Sequence, residues 1–420
     1  MTSSMTRNRY MVAIVFLTFF VMSLLSNILD PIVPDIISSF KVSLAAAAFL
    51  PFSFYIAYGV MSIPAGFLVE RFGEKPIMIA AFLASTAGSL NFALHPSYQV
   101  AVFSLLVMGS GMAALQTAIN PLLRTAGGEE HFAYNSAFAQ LVFGSASFLS
   151  PHLYSYLILN LGSQHARGNR LLAVLARLTP PDLPWASLYW IFSAFTLAMV
   201  VVLYFSHFPR VELALDERAG SLGTYGSLFR KPMVWAFFLC VFAYVGAEQG
   251  TADWISKFLS QYHGYDPHTV GASAVAWFWG LLSAGCLIGM LLLKMFDSRY
   301  VLIGTCVGAI LCLTAALFGP ASVSIIAFPG IGLFASVMWP ILVSLALNSV
   351  SEHHGSFAGI LSTGIMGGAV VPVIIGRIGD RFGLRVGVSF LYIAFACVLS
   401  VGFWAKPLIT NAMSLRKAEG

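Results

Sequence analysis

Charged residues are scarce in this chain of 420 residues: they make up only 9% of it, whereas 58% of the residues are hydrophobic. Soluble domains carry about 25% charged residues, so this deficit excludes a soluble enzyme with a large core. The net charge of +5 is spread over many loops and forms no basic patch. We therefore expect no nucleic-acid partner.

Signatures of catalysis and of metal binding are also missing. No nucleophile–base pair, metal-ligand cluster or phosphate-binding loop can be read from the sequence. The five cysteines lie inside apolar runs without metal-like spacing and are expected to be small core residues. The sequence therefore predicts that the protein is not an enzyme and has no cofactor.

Long apolar runs of about 20 residues recur along the whole chain, which is typical of membrane-spanning helices. They are continuous rather than alternating, so they do not indicate the strands of a β-barrel. We predict an all-α membrane protein with twelve transmembrane helices, numbered here as spans one to twelve. Their predicted bounds are 10–38, 43–69, 76–94, 98–123, 132–160, 185–206, 232–260, 268–294, 299–318, 321–349, 355–378 and 385–405.

Two polar segments interrupt this pattern. Residues 161–184 form a polar loop between spans five and six, and residues 207–231 form the longest charged segment, near the middle of the chain. The second segment predicts a central cytoplasmic linker. We therefore expect an N-terminal six-helix half (1–206), the linker (207–231) and a C-terminal six-helix half (232–420).

The distribution of Lys and Arg predicts the orientation, because cytoplasmic loops carry an excess of both. Most of them fall on one side if both termini are cytoplasmic, although Arg167, Arg170 and Arg177 oppose the bias. The residues assigned to that side are Arg7, Arg9, Arg71, Lys75, Arg124, Arg210, Arg218, Arg230, Lys231, Lys294, Arg299, Lys406, Arg416 and Lys417.

A ten-residue motif occurs twice. GFLVERFGEK follows span two and GRIGDRFGLR follows span eleven, so both fit G-x-x-x-[DE]-R-F-G-x-[KR]. The two copies should lie on opposite sides of the membrane, as inverted three-helix repeats require. Glycine permits close helix contact, and the acid and Arg can hydrogen-bond across helix ends. We predict a conformational latch formed by Gly66, Glu70, Arg71 and Gly73 in one copy and Gly376, Asp380, Arg381 and Gly383 in the other.

With this motif, twelve spans and a central loop, the chain resembles the major facilitator superfamily over essentially its whole length. The resemblance implies two six-helix halves built from inverted three-helix repeats. We also expect the protein to act as a monomer.

Ionisable groups at membrane depth are costly, and this makes them functional candidates. In span one, Asn27 and Asp30 are three residues apart and should share a helix face. Pro31 and Pro34 favour an irregular helix near the acid. The structural alternative is that Asp30 caps or terminates a helix at the outer interface. Asp35 is expected to be a plain loop residue.

Further polar candidates occur in spans four, five and seven. Gln116 and Asn120 are four residues apart, and Gln140 lies near the middle of span five. Glu248 and Gln249 sit between Gly246 and Gly250, which permit a bent helix. Asp253 follows about a turn and a half further out. The aromatic candidates are Trp277, Trp279 and Trp339.

These candidates include acids, amides and tryptophans, but the spans contain no deep Lys or Arg. An anion site would require a buried cation. Amides bind hydroxyls and aromatic faces cover C–H surfaces, so the set favours a neutral sugar. Carboxylates without fixed cations can bind either H⁺ or Na⁺, near Asp30 or Glu248.

The motifs SNILD, LQTAINP, AQLVFGS and YVGAE give a narrower resemblance, to the fucose–galactose–hexose symporter family and its glucose/galactose-type branch. It implies that Asp30 couples transport to a cation and that Asn27 and Gln140 bind sugar. The family's asparagine three residues beyond the glutamine is replaced by Phe143. Gln116 stands where fucose-type members have a glutamate, and Glu248 is expected to replace that acid.

We therefore predict cation-coupled symport of a neutral hexose by alternating access, in a bacterial inner membrane. The predicted ligands of the sugar are Asn27, Gln116, Asn120, Gln140, Gln249, Trp277, Trp279 and Trp339. The alternative is a proton-coupled exporter of lipophilic small molecules, since the same acids could serve it.

Overall fold

Helices account for the secondary structure in the part of the chain that the computed structural model describes, namely residues 8–128, 132–161, 169–208, 222–350 and 354–406. Eleven of the helical segments there are long and apolar enough to cross a membrane. Span five, the 30-residue helix Phe132–Leu161, is a further candidate by length. The predicted all-α architecture is confirmed.

The predicted spans agree closely with the helices. Spans one to six are Arg9–Ser26 with Leu29–Phe40, Leu44–Phe72, Glu74–Leu94, Tyr98–Gly127, Phe132–Leu161 and Ser187–Phe205. Spans seven to nine are Pro232–His263, Ala272–Met295 (preceded by a short turn, Pro267–Gly271) and Ser298–Phe318. Span ten is Ala321–Ala335 with Met338–Leu347, span eleven is His354–Thr363 with Gly367–Phe382, and span twelve is Leu384–Val388 with Leu391–Trp404.

Two spans are broken where a proline removes a hydrogen bond four residues upstream. Pro31 cannot donate to the carbonyl of Asn27, and span one is interrupted at Asn27 and Ile28. Pro340 acts similarly on Ser336, between the two segments of span ten. Asn27 and Asp30 consequently lie on opposite sides of a break rather than on one continuous helix face.

Two predictions about loops are wrong. Asp35 lies within the helix Leu29–Phe40 and is not a loop residue. The polar loop 161–184 contains the helix Arg170–Leu178, whose first turn is capped by the Asn169 side chain. Asn169 satisfies otherwise free backbone N–H groups there, which explains how a segment with several Arg residues starts a helix. Most of the linker 207–231 lies outside the described residues, which resume with the helix Leu222–Phe229.

The spans before residue 208 contact those after residue 222 through several pairs of neighbouring spans. Span two packs along span eleven, span five along span eight, and the second segment of span one against span seven. Small residues permit this approach: a Cβ on Gly376 would lie 2.9 Å from the backbone of Ala45, and one on Gly280 would lie 2.8 Å from the Phe148 ring. We call the end of the molecule that carries the turns at Lys41 and Gly383 the closed end.

Candidate functional site

Asp30 lies in the first turn of the second segment of span one and is 0% exposed. Its Oδ2 atom accepts a hydrogen bond of 2.7 Å from the indole Nε1–H of Trp279 in span eight. Within the described residues, Oδ1 has no partner. Asp30 therefore does not terminate a helix at a water-exposed interface. It lies buried between the two sets of spans, in the first turn of its helix.

A second buried acid, Asp253 of span seven, faces Asp30. It is 1% exposed, and the two carboxyl groups lie within hydrogen-bonding reach of each other. Neither oxygen of Asp253 has a donor within the described part of the chain. Asp253 follows Gln249 by four residues, so the spacing alone places both on one helix face.

Gln249 shares that buried face, whereas Glu248 points elsewhere. Gln249 is 5% exposed and packs against Gly368 of span eleven. Glu248 is only half-buried and lies within hydrogen-bonding reach of the Tyr244 hydroxyl. The ring of Tyr244 in turn lies 6.2 Å from that of Trp339. Glu248 thus belongs to an aromatic group next to Asp30 rather than to a direct pair with it.

Asn27 takes part in a hydroxyl network between spans one and five. Its Nδ2 donates to Ser147 Oγ at 2.6 Å, and the hydroxyls of Ser147 and Ser23 lie 2.7 Å apart. The Ser23 hydroxyl also donates to the backbone carbonyl of Phe143 at 2.6 Å. This network was not foreseen, although Ser147 follows Phe143 by four residues and lies on the same face. It leaves the Asn27 side-chain oxygen as the group available to a ligand.

The amides of spans four and five are more accessible. Gln116 is half-buried, and Asn120 and Gln140 are exposed. Among the described residues, these three side chains form no hydrogen bond. The structure does not bring them into contact with the buried acids, but it leaves their donors and acceptors free for a ligand.

The three candidate tryptophans occupy different environments. Trp279 is buried against Asp30, as described above. Trp277 is 50% exposed, and its ring packs edge-on against Phe148 at 5.3 Å. Trp339 is half-buried and lies just beyond the break in span ten. The structure thus separates a tryptophan that binds an acid from two that present aromatic surface.

The two copies of the repeated motif have the same local shape but different contacts. Gly73 and Gly383 end their helices at φ values of +83° and +90°, which only glycine adopts readily. The Asp380 carboxylate accepts hydrogen bonds from the backbone N–H groups of Leu44 (2.8 Å) and Ala45 (3.0 Å), at the start of span two. This copy therefore joins spans two and eleven at the closed end.

The remaining motif residues lie nearer the surface. Glu70, Arg71 and Arg381 are exposed, Gly66 is half-buried, and the Arg71 guanidinium lies 5.3 Å from the ring of Phe72.

Asp35 forms a further contact across the closed end. Its Oδ1 lies 2.8 Å from His268 Nε2, and its Oδ2 accepts a hydrogen bond of 2.8 Å from the Tyr154 hydroxyl. His268 belongs to the turn before span eight, so this contact joins the two sets of spans. Partial burial acts to raise the pKa of the neighbouring Asp266, but hydrogen bonds from the Thr269 hydroxyl and the His268 backbone N–H outweigh it and lower that pKa.

A fold of twelve membrane helices with buried acids between its two sets of spans is that of a membrane transport protein. A profile of the Major Facilitator Superfamily matches residues 15–372. The chain belongs to this superfamily, and the predicted fold and the prediction of a transporter rather than an enzyme are confirmed.

Several relatives match over nearly the whole chain. The chain is 28% identical to a glucose/galactose transporter of Brucella abortus biovar 1 (strain 9-941), with 94% of this chain and 95% of that protein covered. It is 24% identical to the L-fucose-proton symporter of Escherichia coli (strain K12), with 87% and 86% covered.

Among solved structures, FucP in the outward conformation has a TM-score of 0.67 at 20% identity. The match covers 94% of this chain and 98% of the FucP chain. A bacterial homologue of the human lysosomal transporter Spinster, inward-facing and occupied, has a TM-score of 0.78 at 14% identity, with 96% and 97% covered.

Proposed function

We propose that the protein is a secondary active transporter that couples the uptake of a neutral hexose, such as glucose or galactose, to the entry of H⁺ or Na⁺. The observation that carries this proposal is Asp30: a buried acid that contacts Trp279 across the two sets of spans and has no cationic partner among the described residues. The relatives, which include glucose/galactose transporters and fucose-proton symporters, support a sugar substrate and favour H⁺ as the coupling ion.

The proposed organisation is two six-helix halves, 1–206 and 232–420, joined by a cytoplasmic linker, 207–231. Both termini are proposed to be cytoplasmic in a bacterial inner membrane, which places the closed end on the outer side. Transport then requires the closed end to open while the opposite end closes. The contacts of Asp35 with His268 and of Asp380 with span two must break in that step.

In this proposal, the sugar binds between accessible amides and aromatic surfaces. Gln116, Asn120 and Gln140 have free donors and acceptors for hydroxyls. Trp277 and Trp339 offer partly exposed rings for the C–H faces of a pyranose. The proposed contributions of Asn27 and Gln249 are their side-chain oxygens, because Asn27 Nδ2 already donates to Ser147 and Gln249 Oε1 has no partner among the described residues.

Asp30 and Glu248 are proposed to bind the coupling cation. A carboxylate in a dry interface between helices is costly when ionised, and neutralisation by a cation removes that cost. Binding of the cation therefore favours the conformation in which Asp30 is enclosed. Trp279 would hold Asp30 in place in that conformation.

Transport by purified protein in lipid vesicles tests this function. Labelled glucose, galactose and fucose are offered under an inward pH gradient, an inward Na⁺ gradient, or neither. Accumulation of a hexose under one gradient and simple equilibration without it are the expected results. Indifference to both gradients would contradict coupling, and export of lipophilic dyes without sugar uptake would support the alternative function.

A further inference from the structure

Three buried oxygen atoms at the contact of spans one and seven have no hydrogen-bond donor among the described residues. They are Oδ1 of Asp30 and both carboxyl oxygens of Asp253. The two carboxyl groups nevertheless lie within hydrogen-bonding reach of each other. Two ionised carboxylates offer only lone pairs, so a hydrogen bond between them requires that one of them carries a proton.

The surroundings add to this requirement. On span seven, Glu248 adds a further acid near the pair, and on span two the Tyr55 hydroxyl interacts electrostatically with both Asp30 and Asp253. Span eight contributes the neutral donor Trp279, while Tyr154 of span five and His268 of the turn before span eight bond to Asp35 instead. Within the described residues, no Lys or Arg is an electrostatic partner of the pair.

We propose that Asp253 joins Asp30 and Glu248 in the cation site, and that Asp30 and Asp253 share one proton when the closed end is closed. This inference rests on the proposed function and adds a residue to it. The proton comes from water on the outer side, forms an O–H bond to one carboxylate, and is released to water on the inner side. Without it, two negative charges would be in contact, which a dry interface does not tolerate.

The shared proton explains both the closing and the reopening of the closed end. Protonation lets spans one and seven approach, so the loaded transporter closes on the outer side. Release of the proton on the inner side restores repulsion between Asp30 and Asp253 and favours reopening of the closed end. Coupling then follows from a difference in free energy between two conformations, not from contact between the proton and the sugar.

The variant Asp253→Asn tests this proposal, with Asp182→Asn, the same change at an exposed loop residue, as the matched control. An asparagine amide donates permanently to the Asp30 carboxylate, so the closed end closes without a proton. We expect hexose exchange to stay within about twofold of wild type and accumulation driven by a pH gradient to fall about tenfold or more. The control should accumulate hexose as wild type does.

Normal accumulation by Asp253→Asn would overturn the proposal and leave the proposed function intact. Wild-type accumulation that follows Na⁺ and ignores pH would overturn the shared proton and assign Na⁺ to the same oxygens.

A second measurement does not depend on sugar transport or on a single variant. The infrared C=O stretching band of a protonated carboxyl group is recorded from purified protein at neutral pH. Wild type should show it, and Asp253→Asn and Asp30→Asn should lose it, because in each the new amide donates to the remaining carboxylate. If wild type transports no hexose, the proposed function fails and this band decides the proposal. Absence of the band from wild type, or full retention of the band in both variants, would overturn the proposal of a shared proton.

Discussion

At the scale of single residues, Asp30 is fully buried, and one of its oxygens bonds to Trp279. Replacement by asparagine keeps the size and supplies a permanent donor. We expect Asp30→Asn to lower the gradient-driven accumulation of hexose about tenfold or more, while exchange of sugar across the membrane continues. Counterflow and accumulation assays in vesicles measure the two separately, and normal accumulation would remove Asp30 from the mechanism.

Gln140 represents the opposite environment, an exposed amide without a partner among the described residues. Loss of one neutral hydrogen bond to a ligand costs about 1 kcal/mol, or about a fivefold to tenfold change in affinity. We therefore expect Gln140→Ala to weaken hexose binding by roughly this factor without lowering the melting temperature. Calorimetric titration measures it, and unchanged affinity would assign Gln140 to packing.

Residue types alone predicted part of this site. Asp30 and Trp279 could be singled out because polar groups in apolar runs are conspicuous. Their direct contact joins residues 249 positions apart, which no local pattern encodes. Asp253 was noticed as a polar residue of span seven but was given no role, because its importance depends on what faces it from span one, and Glu248, five residues earlier, looked equivalent in sequence.

At the scale of helices, the boundaries of the spans followed from hydropathy because each helix must be apolar over the thickness of the bilayer. The breaks were harder to place. A proline disturbs the turn that precedes it, so the break caused by Pro31 falls at Asn27 and Ile28 rather than around the acid. The helix Arg170–Leu178 was missed because its charges resemble a loop, whereas its start depends on the Asn169 cap.

The contact between spans two and eleven gives a prediction at this scale. A Cβ on residue 376 would lie 2.9 Å from the backbone of Ala45, and Asp380 accepts hydrogen bonds from the same helix end. We expect Gly376→Val to separate the two helices at the closed end and to slow hexose exchange several-fold, because this closed state becomes less stable. Gly304, which has open space at its Cβ, offers a matched control. Equal rates for Gly376→Val and Gly304→Val would contradict the role of close packing.

At the scale of the whole molecule, the closed end is held by separate contacts between the two sets of spans. The motif copy at Asp380 joins spans two and eleven, Trp279 joins spans eight and one, and His268 joins the turn before span eight to Asp35. Each contact has a different chemistry: a carboxylate on backbone N–H groups, an indole on an acid, and an imidazole on a carboxylate. Of these contacts, only the one at Asp30 contains a group whose protonation changes in the cycle that we propose, but an imidazole also titrates near neutral pH.

The contact between His268 and Asp35 should therefore make the stability of the closed end depend on pH. Imidazole titrates near pH 6.5 when unperturbed, and protonation converts its 2.8 Å bond to Asp35 into an ion pair, with ionised Asp266 3.7 Å away on the other ring nitrogen. Because the folded state then holds the proton more tightly than the unfolded state, this stabilisation is complete in acid and is lost as the pH rises. His268→Gln can keep a hydrogen bond but cannot take up the charge. We expect wild type to gain about 2 °C more in melting temperature than His268→Gln when the pH falls from about 8 to about 5.5.

The exposed His152, changed in the same way, controls for a general effect of histidine. Because Asp30 and Asp253 titrate in both proteins, the difference between wild type and His268→Gln isolates the imidazole. Identical pH profiles would show that this contact holds the closed end by hydrogen bonding alone.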